Sequence, residues 1–337
     1  MSRIIKARYP SNIALVKYWG KYGNQLPCNP SVSMTLKEAY TDTELVLNEK
    51  TKKEAEFEYY FEGQLNAAFG NKVLHYLQKQ EEFAPLLTDF AITLHSRNSF
   101  PHSAGIASSA SAFAAVASVG LEALGLDLEE EAFKQKASDL ARRGSGSACR
   151  SFYDGYAAWG VVEGLTGSSE KYAVPIEEVH PDFQSMRDAI LIIDDAPKAV
   201  SSSVGHGLMK DHPYAESRFE QGRQHSAEMI SILKSGDFQS FISVVEREAL
   251  TLHAMMMTSE DYYLLVKPHT VFMIERLFEF RKERGLPVCF TLDAGPNLHI
   301  LYPDSVRGEV EAFLEGYLQS HIKSIIKDEV GMGGKVI

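Results

Sequence analysis

Residues 101–111, with the sequence PHSAGIASSAS, carry the strongest chemical signal in this chain. They follow an alternating apolar stretch, residues 90–96, that predicts a half-buried strand, and they lead into small and apolar residues that predict a helix. A turn rich in glycine and serine at this place brings free backbone N–H groups and the positive end of the helix dipole together. The segment is either a phosphate-binding loop or an ordinary helix start, capped by serines and packed through alanines.

Two lysines flank an aromatic pair near the start of the chain. In the sequence NIALVKYWGK, Lys17 and Lys21 lie four residues apart, with Tyr18 and Trp19 between them. Two compact cations among apolar residues would suit the edge of an anion pocket. The alternative is a pair of surface lysines whose aliphatic stems flank a buried aromatic pair.

The sequence RRGSGSACRS at residues 142–151 forms a second cluster of donors. Ser145, Gly146 and Ser147 offer hydroxyl and N–H groups, and Arg150 offers a planar fork that suits a carboxylate or a phosphate. The alternative is a helix C-terminus that ends at Gly144, with basic residues near the dipole. That alternative explains the first residues of the cluster but gives no reason for the serines and Arg150.

The third cluster is TLDAGPN at residues 291–297, where Asp293 follows an apolar strand and enters a Gly-Pro turn. Such an aspartate is either a general base at a cleft or a residue that caps the turn with its side chain. Together the clusters supply two anion cradles, several cations and one candidate base. These are the groups that phosphoryl transfer requires.

Composition narrows the setting. The 337 residues have room for two domains, and 45% hydrophobic with 23% charged residues is ordinary for a globular protein. A net charge of −11 argues against nucleic acid or an anionic membrane as the main partner. Three cysteines and the lack of an apolar leader predict a cytoplasmic protein without a disulfide framework.

Strands dominate the first half of the sequence and helices the second, which predicts an α+β fold. A shift in composition near residues 180–190 predicts two lobes, residues 1–185 with the phosphate loop and residues 186–337 with Asp293. Strands are predicted at residues 4–9, 31–36, 43–47, 56–61, 90–96, 156–162, 170–174, 189–194, 288–292, 298–302 and 322–327. Helices are predicted at residues 65–78, 109–124, 128–142, 214–234, 238–253, 270–284 and 306–320.

These motifs resemble the diphosphomevalonate decarboxylases, which belong to the superfamily of galactokinase, homoserine kinase, mevalonate kinase and phosphomevalonate kinase. The superfamily loop is a proline, three residues, then Gly-Leu-Gly-Ser-Ser-Ala. Residues 101–110 match it with Ile106 for the leucine and Ala107 for the middle glycine, a change typical of the decarboxylases. Residues 12–21, 145–151 and 293–297 resemble signatures of the decarboxylases and not of the sister kinases, and the similarity extends to about residue 302.

The resemblance implies a two-lobed fold with a cleft between the lobes. The N-terminal lobe would be similar to domain 2 of ribosomal protein S5, and the C-terminal lobe would be a helix-rich α+β unit. The implied reaction converts (R)-5-diphosphomevalonate and ATP, with Mg²⁺, to isopentenyl diphosphate, ADP, phosphate and CO₂ in isoprenoid biosynthesis. The family also implies a homodimer.

Site roles follow from the matched motifs. Asp293 matches the base at the 3-hydroxyl, Lys17 the lysine that keeps it ionised, and Arg150 the arginine that holds the substrate carboxylate. The diphosphate would be held by Tyr18, Lys21, Ser145, Gly146 and Ser147. Ser202 matches a further substrate serine, although the run of serines leaves its register open by one residue. The ATP phosphates would lie against Ser103, Ala104, Gly105, Ile106, Ala107, Ser108 and Ser109. Either Ser108 or Ser109 would lie near Mg²⁺, and Ser109 is preferred.

Three alternatives stay open at this point. The chain could use the monophosphate, could phosphorylate the 3-hydroxyl and stop there, or could be a non-catalytic ATP-binding protein on the same fold. It also departs from many relatives at His102, Ser103 and His206. His102 beside the phosphates would make ATP binding sensitive to pH, or it packs the loop without such a role.

Overall fold

The computed structural model describes residues 2–50, 56–101, 106–196 and 202–337, with only the backbone of residues 202 and 203. The strands are β1 (Arg3–Val16), β2 (Lys21–Tyr22), β3 (Leu26–Pro27), β4 (Ser31–Glu49), β5 (Phe57–Phe61), β6 (Gln64–Leu65), β7 (Phe90–Asn98), β8 (Tyr156–Trp159), β9 (Ala173–Pro175), β10 (Met186–Ile192), β11 (Cys289–Leu292), β12 (Leu298–Pro303), β13 (Ser324–Glu329) and β14 (Lys335–Val336). The α-helices are α1 (Ala67–Gln78), α2 (Ala84–Asp89), α3 (Ser108–Ala123), α4 (Glu130–Gly144), α5 (Pro181–Gln184), α6 (Ser202–Gly207), α7 (Ala215–Ser235), α8 (Phe238–Thr258), α9 (Pro268–Arg284) and α10 (Arg307–Glu315).

Two sheets organise the described residues. The larger sheet has eight strands, with β14-β1-β4-β7-β5-β6 in order and with β8 and β9 joined to β4. The smaller sheet has the order β11-β12-β10-β13, and all its pairs are antiparallel. Strands β2 and β3 form a short separate ribbon. Sheets of this kind with helices set apart confirm the predicted α+β class.

Strand β4 runs through a region where the sequence predicts two strands. The polar residues between positions 36 and 43 resemble a turn, yet the chain stays extended and pairs with β1 on both sides of an irregularity. At that irregularity the Asp328 carboxylate accepts hydrogen bonds from the backbone N–H groups of Lys37, Glu38 and Ala39. A buried carboxylate from the other lobe therefore satisfies the donors that the strand leaves unpaired.

Helix α3 lies buried against the larger sheet because its sequence is rich in alanine, serine and glycine. Small side chains allow a helix axis to approach a sheet closely, and Ala114, Ala115 and Ala117 are fully buried. This packing fixes the start of α3, where the predicted phosphate loop ends.

The second lobe contains helices α7 to α10 and the smaller sheet. Helix α10 ends at Glu315, five residues before the predicted end, because a turn follows in which Gln319 has a φ of 66°. Strands β11 and β12 pair antiparallel around the turn that holds Asp293, which confirms the predicted hairpin.

The C-terminal residues return to the N-terminal lobe. After β13, the N–H of Gly331 donates to Thr35 O at 2.9 Å and the N–H of Gly334 donates to Ser151 O at 3.0 Å. Strand β14 then joins the edge of β1. A Cβ on Gly333 would lie 2.3 Å from Phe152 O, and one on Gly334 would lie 2.1 Å from the Tyr9 ring, so only glycine fits this path.

No helix among the described residues is long and apolar enough to cross a lipid bilayer.

Candidate active site

Lys17 and Asp293 form an ion pair between the two lobes. Lys17 is the first residue after β1, and Asp293 is the first residue after β11. The distance from Lys17 Nζ to Asp293 Oδ1 is 2.9 Å. The lysine side chain is 3% exposed and the aspartate side chain 27% exposed, so the carboxylate is the member that solvent and substrate can reach. Lys17 is therefore a buried partner of Asp293 and not a surface lysine.

Burial lowers the pKa of Lys17 below the usual value of a lysine, and the charge of Asp293 opposes that shift. The carboxylate of Glu248 also favours the charged lysine, whereas Arg150 disfavours it. The acidic neighbours of Lys17 therefore favour its charged form in a place where water contributes little.

Arg150 lies in a 3₁₀ helix, Gly146–Phe152, and is only 2% exposed. Its guanidinium donates to Ser31 Oγ at 2.6 Å and to Asn12 Oδ1 at 3.3 Å, and it lies 5.8 Å from the centre of the Tyr18 ring. Within the described part of the chain, no carboxylate forms a salt bridge with Arg150. The site therefore holds a desolvated cation that is ready for an anionic ligand.

Tyr18 contacts the serine-rich segment directly. A Cβ on Gly146 would lie 2.5 Å from Tyr18 Oη, so the hydroxyl reaches the backbone only because residue 146 is glycine. Burial raises the pKa of Tyr18 well above its usual value, although the charge of Arg150 opposes that shift. His206 stacks on the Tyr18 ring with centroids 4.5 Å apart.

Lys21 lies on the short strand β2, with its Nζ 2.7 Å from Gln25 Oε1. Burial and the nearby charge of Lys72 lower the pKa of Lys21. The two lysines form a local positive region in a protein whose net charge is −11. No pattern in the sequence singles out Lys72, which lies on α1.

The predicted phosphate loop ends at the start of α3. Ala107, the residue before the helix, has a left-handed backbone with φ 40°, and no side chain of the described residues caps the helix. Helix α3 thus leaves backbone N–H donors of its first turn available. Ser109 Oγ lies 3.1 Å from Ser145 Oγ, which brings the two predicted anion cradles together. Ile106 is buried, and its carbonyl accepts a hydrogen bond from Ser11 Oγ at 2.6 Å.

Some predicted site residues lie outside the described residues, namely His102, Ser103, Ala104 and Gly105. Ser202 begins helix α6, but its side chain is not described.

Clusters that lie far apart in the sequence contact one another in the structure, and the segment around Ser145 joins two of them. Helix α4 ends at Gly144 as the alternative interpretation expected, but Arg142 and Arg143 both pair with Asp139 on the same helix. Gly144 is required because a Cβ there would lie 2.2 Å from the Phe113 ring. The segment after it is then free to contact Tyr18 and α3.

Sequence reasoning missed a second layer of residues behind Lys17. Glu248 on α8 is fully buried and accepts from the Lys17 N–H at 2.8 Å and from Arg218 on α7 at 2.6 Å. His253, five residues later on α8, lies with its Nε2 3.1 Å from Asp293 O. The available signal was an acid on the apolar face of a predicted amphipathic helix, a position that acids occupy only when paired.

Magnesium would rely on few protein ligands here. In the described ranges no group of three or more His, Cys, Asp or Glu side chains is arranged for a metal ion. Mg²⁺ often keeps several waters and binds through substrate phosphates, and the Ser109 hydroxyl beside the start of α3 fits that mode.

Comparison with known proteins then defines the family. The model of the diphosphomevalonate decarboxylase-like N-terminal domain matches residues 9–170, and that of the mevalonate 5-diphosphate decarboxylase C-terminal domain matches residues 189–333. The diphosphomevalonate decarboxylase of Ganoderma lucidum is 30% identical, over 97% of this chain and 85% of that protein. The chain belongs to the diphosphomevalonate decarboxylase family. The diphosphomevalonate decarboxylase of Gibberella zeae is 32% identical, over 88% of this chain and 80% of that protein.

Solved decarboxylase structures agree with the fold. Mevalonate diphosphate decarboxylase from Staphylococcus aureus is 30% identical and superposes with a TM-score of 0.86, covering 100% of this chain and 98% of that one. A complex of MDDEF with MVAPP, AMPPCP and magnesium is 27% identical with a TM-score of 0.85, covering 100% and 99% of the two chains. The predicted family and the two-lobed fold are therefore confirmed.

Proposed function

We propose that this decarboxylase-family enzyme converts (R)-5-diphosphomevalonate and ATP to isopentenyl diphosphate, ADP, phosphate and CO₂. The observation that carries the proposal is the Lys17–Asp293 pair at 2.9 Å, close to a buried Arg150 that has no carboxylate partner in the described chain. Family membership and the bound MVAPP and AMPPCP of the related complex support it.

In the first step the substrate 3-hydroxyl attacks the γ-phosphorus of ATP. The O–P bond forms, the bond to ADP breaks, and the hydroxyl proton passes to the Asp293 carboxylate. Asp293 is exposed enough to reach the hydroxyl, and Lys17 holds the carboxylate in one orientation through Oδ1. The lysine also offsets negative charge that accumulates around the transferred group.

In the second step the phosphorylated substrate breaks down. The C3–O bond breaks with release of phosphate, positive charge develops at C3, the C1–C2 bond breaks with release of CO₂, and its electron pair becomes the C2–C3 double bond. We assign the C1 carboxylate to Arg150, which holds the carboxylate in place until the C1–C2 bond breaks. Arg150 is fixed for this by Asn12 and Ser31.

The substrate diphosphate would lie against Tyr18, Lys21, Ser145, Gly146, Ser147 and Ser202. Support comes from the approach of Tyr18 Oη to Gly146 and from the positive region around Lys21. The ATP phosphates would lie at the start of α3, where Ser108 and Ser109 supply hydroxyl and backbone donors. When Mg²⁺ is bound near Ser109, it would neutralise part of the phosphate charge.

Two finer points go beyond the reaction. We infer a cytoplasmic enzyme from the odd number of cysteines and a homodimer from the family resemblance.

The rival functions differ in substrate and product. A monophosphate decarboxylase would hold one phosphate group fewer and so would need fewer of the donors Tyr18, Lys21, Ser145 and Ser147. An enzyme that stops at 3-phosphorylation would not need Arg150 as a carboxylate anchor. A non-catalytic ATP-binding protein would not need the Lys17–Asp293 pair.

Substrate preference tests the proposal. We expect kcat/KM for (R)-5-diphosphomevalonate to exceed that for the 5-monophosphate by about tenfold or more, since one charge-assisted contact contributes roughly that factor. Lys21→Met should reduce this preference, whereas Lys282→Met, at an exposed position on α9, should leave it unchanged. Equal use of the two substrates would favour the monophosphate alternative.

A further inference from the structure

Helix α8 connects the two halves of the proposed catalytic pair. Lys17 follows a strand of the larger sheet, and Asp293 follows a strand of the smaller sheet. Neither sheet alone fixes the distance between them. A third element that contacts both main chains would set it.

The first contact is at Lys17. Glu248 Oε2 accepts from the Lys17 N–H at 2.8 Å, and Arg218 donates to the Lys17 carbonyl at 2.5 Å. Arg218 also donates to both carboxylate oxygens of Glu248, at 3.0 and 2.6 Å. Both side chains have 0% exposure, so water cannot replace either bond. Both main-chain polar groups of Lys17 are therefore held by α7 and α8.

The charge of Glu248 is secured by its neighbours. Burial opposes ionisation, but the hydrogen bond from His225, at 2.6 Å from Oε1, and the charge of Arg218 outweigh it, so the pKa of Glu248 lies below its usual value. An ionised acceptor makes the hydrogen bond to Lys17 stronger than a neutral one would.

The second contact is at Asp293. His253 Nε2 lies 3.1 Å from Asp293 O, and a carbonyl oxygen only accepts, so Nε2 carries the proton. Burial lowers the pKa of His253 to about 4, so the ring is neutral near pH 7 and adds no charge beside Lys17. Its Nδ1 is buried and has no partner among the described residues. His253 therefore acts on Asp293 through one donated hydrogen bond.

We propose that Glu248 and His253 on α8 are positioning residues that set the Lys17–Asp293 geometry. They lie five residues apart, about 7.5 Å along the helix axis, and hold the main chain of one partner each. The effect on kcat that we expect from this inference rests on the proposed function. The effect on the Lys17–Asp293 distance does not. A displacement of either partner by about 1 Å costs roughly a hundredfold in rate.

His253 gives the sharper test because its loss leaves no charge unpaired. His253→Leu should lower kcat by about a hundredfold, with the KM values for both substrates within about twofold of the wild type. His253→Gln, whose side-chain amide can donate to the same carbonyl, should recover most of the loss. A lower kcat in His253→Leu together with a recovered kcat in His253→Gln supports the positioning role. A Leu variant with wild-type kcat, or a Gln variant as impaired as Leu, overturns it.

His212 provides a matched control. It is also buried, receives a hydrogen bond from Tyr214 N–H on Nδ1 and donates through Nε2 to a carbonyl of α8, Met255 O, at 3.1 Å. His212→Leu should lower the melting temperature about as much as His253→Leu and leave kcat near the wild-type value. An equal fall of kcat in both variants would show a general effect of weakening α8 and would overturn the proposal.

A crystal structure of His253→Leu supplies a readout besides activity. We expect the Lys17–Asp293 pair to open beyond hydrogen-bond distance in this variant. A pair still at the wild-type distance overturns the positioning role even if the enzyme proves to have another substrate. An inactive wild type with an opened variant pair would instead overturn only the proposed function.

Discussion

At the scale of residues, the site concentrates desolvated charge. Lys17 and Arg150 are both nearly fully buried, but only Lys17 has a carboxylate partner in the described chain. Removing a guanidinium from water is costly unless an anion replaces the lost hydration. A substrate carboxylate would supply that anion, so part of the cost of burying Arg150 is recovered only when substrate binds.

The first prediction concerns the proposed base. Asp293→Asn keeps the shape of the side chain but removes the proton acceptor, so kcat should fall by about 10² to 10⁴. Nucleotide affinity, measured by equilibrium titration, should stay within about twofold of the wild type. Retained turnover would show that another group accepts the proton or that none is needed.

The second prediction is a pH dependence. Because burial lowers the pKa of Lys17, the lysine loses its proton at a lower pH than a free lysine, and the pair with Asp293 is lost as pH rises through that pKa. The groups that face its ammonium are Asp293 and Glu248, which favour the charged form, and Arg150, which disfavours it. The profile of kcat against pH should therefore fall on an alkaline limb below pH 10.5.

Lys17→Arg is the control for that limb. Arginine does not titrate in this range, so the residual activity of the variant should lack the alkaline limb. An unchanged limb in Lys17→Arg would assign the titration to another group.

At the scale of elements, glycine positions let loops approach the site. Gly146 allows the Tyr18 hydroxyl to contact the segment after α4, and Gly144 allows the same turn to pass Phe113. These close approaches bring together two anion cradles that lie far apart in the sequence.

Gly146→Ala tests that arrangement. Its Cβ would lie 2.5 Å from Tyr18 Oη, so the tyrosine must move, and we expect KM for the diphosphate substrate to rise by about tenfold. Gly308→Ala on α10 is the control, since a Cβ there meets no atom within 4 Å. If Gly146→Ala binds substrate as the wild type does, Tyr18 has no part in diphosphate binding.

The elements that could be predicted are those with a clear period or clear boundaries. Alternation predicted β7, and the Gly-Pro turn predicted the β11–β12 pair around Asp293. Strands β2, β3, β6 and β14 have two residues each and carry no period, so nothing in the sequence marked them.

The candidate site was predictable only in its first layer. Lys17, Arg150 and Asp293 belong to motifs that can be matched, and the structure brings them together. Glu248 and Arg218 lie thirty residues apart on separate helices, and their contact with Lys17 depends on how the lobes pack. No local pattern encodes such a contact.

At the scale of the whole molecule, the C-terminal segment ties the lobes together. It leaves β13 of the smaller sheet and then bonds to Thr35 and Ser151 of the N-terminal lobe. Ser151 follows Arg150 directly, so the segment also supports the turn that holds the proposed carboxylate anchor.

Removal of residues 331–337 should therefore destabilise the enzyme. The lost backbone hydrogen bonds contribute about 0.5 to 1.5 kcal/mol each, so the free energy of unfolding should fall by about 2 kcal/mol or more. Denaturant titration measures the change. Removal of the exposed Ile337 alone is the control, because it gives up one backbone hydrogen bond, to Lys6 O, and should cost no more than about 1.5 kcal/mol. If the protein that lacks residues 331–337 has the same free energy of unfolding as the full-length protein, the proposed role of the segment is contradicted.

The most direct test of the central claim is the stoichiometry of the purified enzyme with ATP, Mg²⁺ and (R)-5-diphosphomevalonate. The Lys17–Asp293 pair and Arg150 should couple phosphoryl transfer to loss of the carboxylate, so ADP and CO₂ should form in equal amounts. ADP without CO₂ would contradict the account and identify an enzyme that stops at the 3-phosphate.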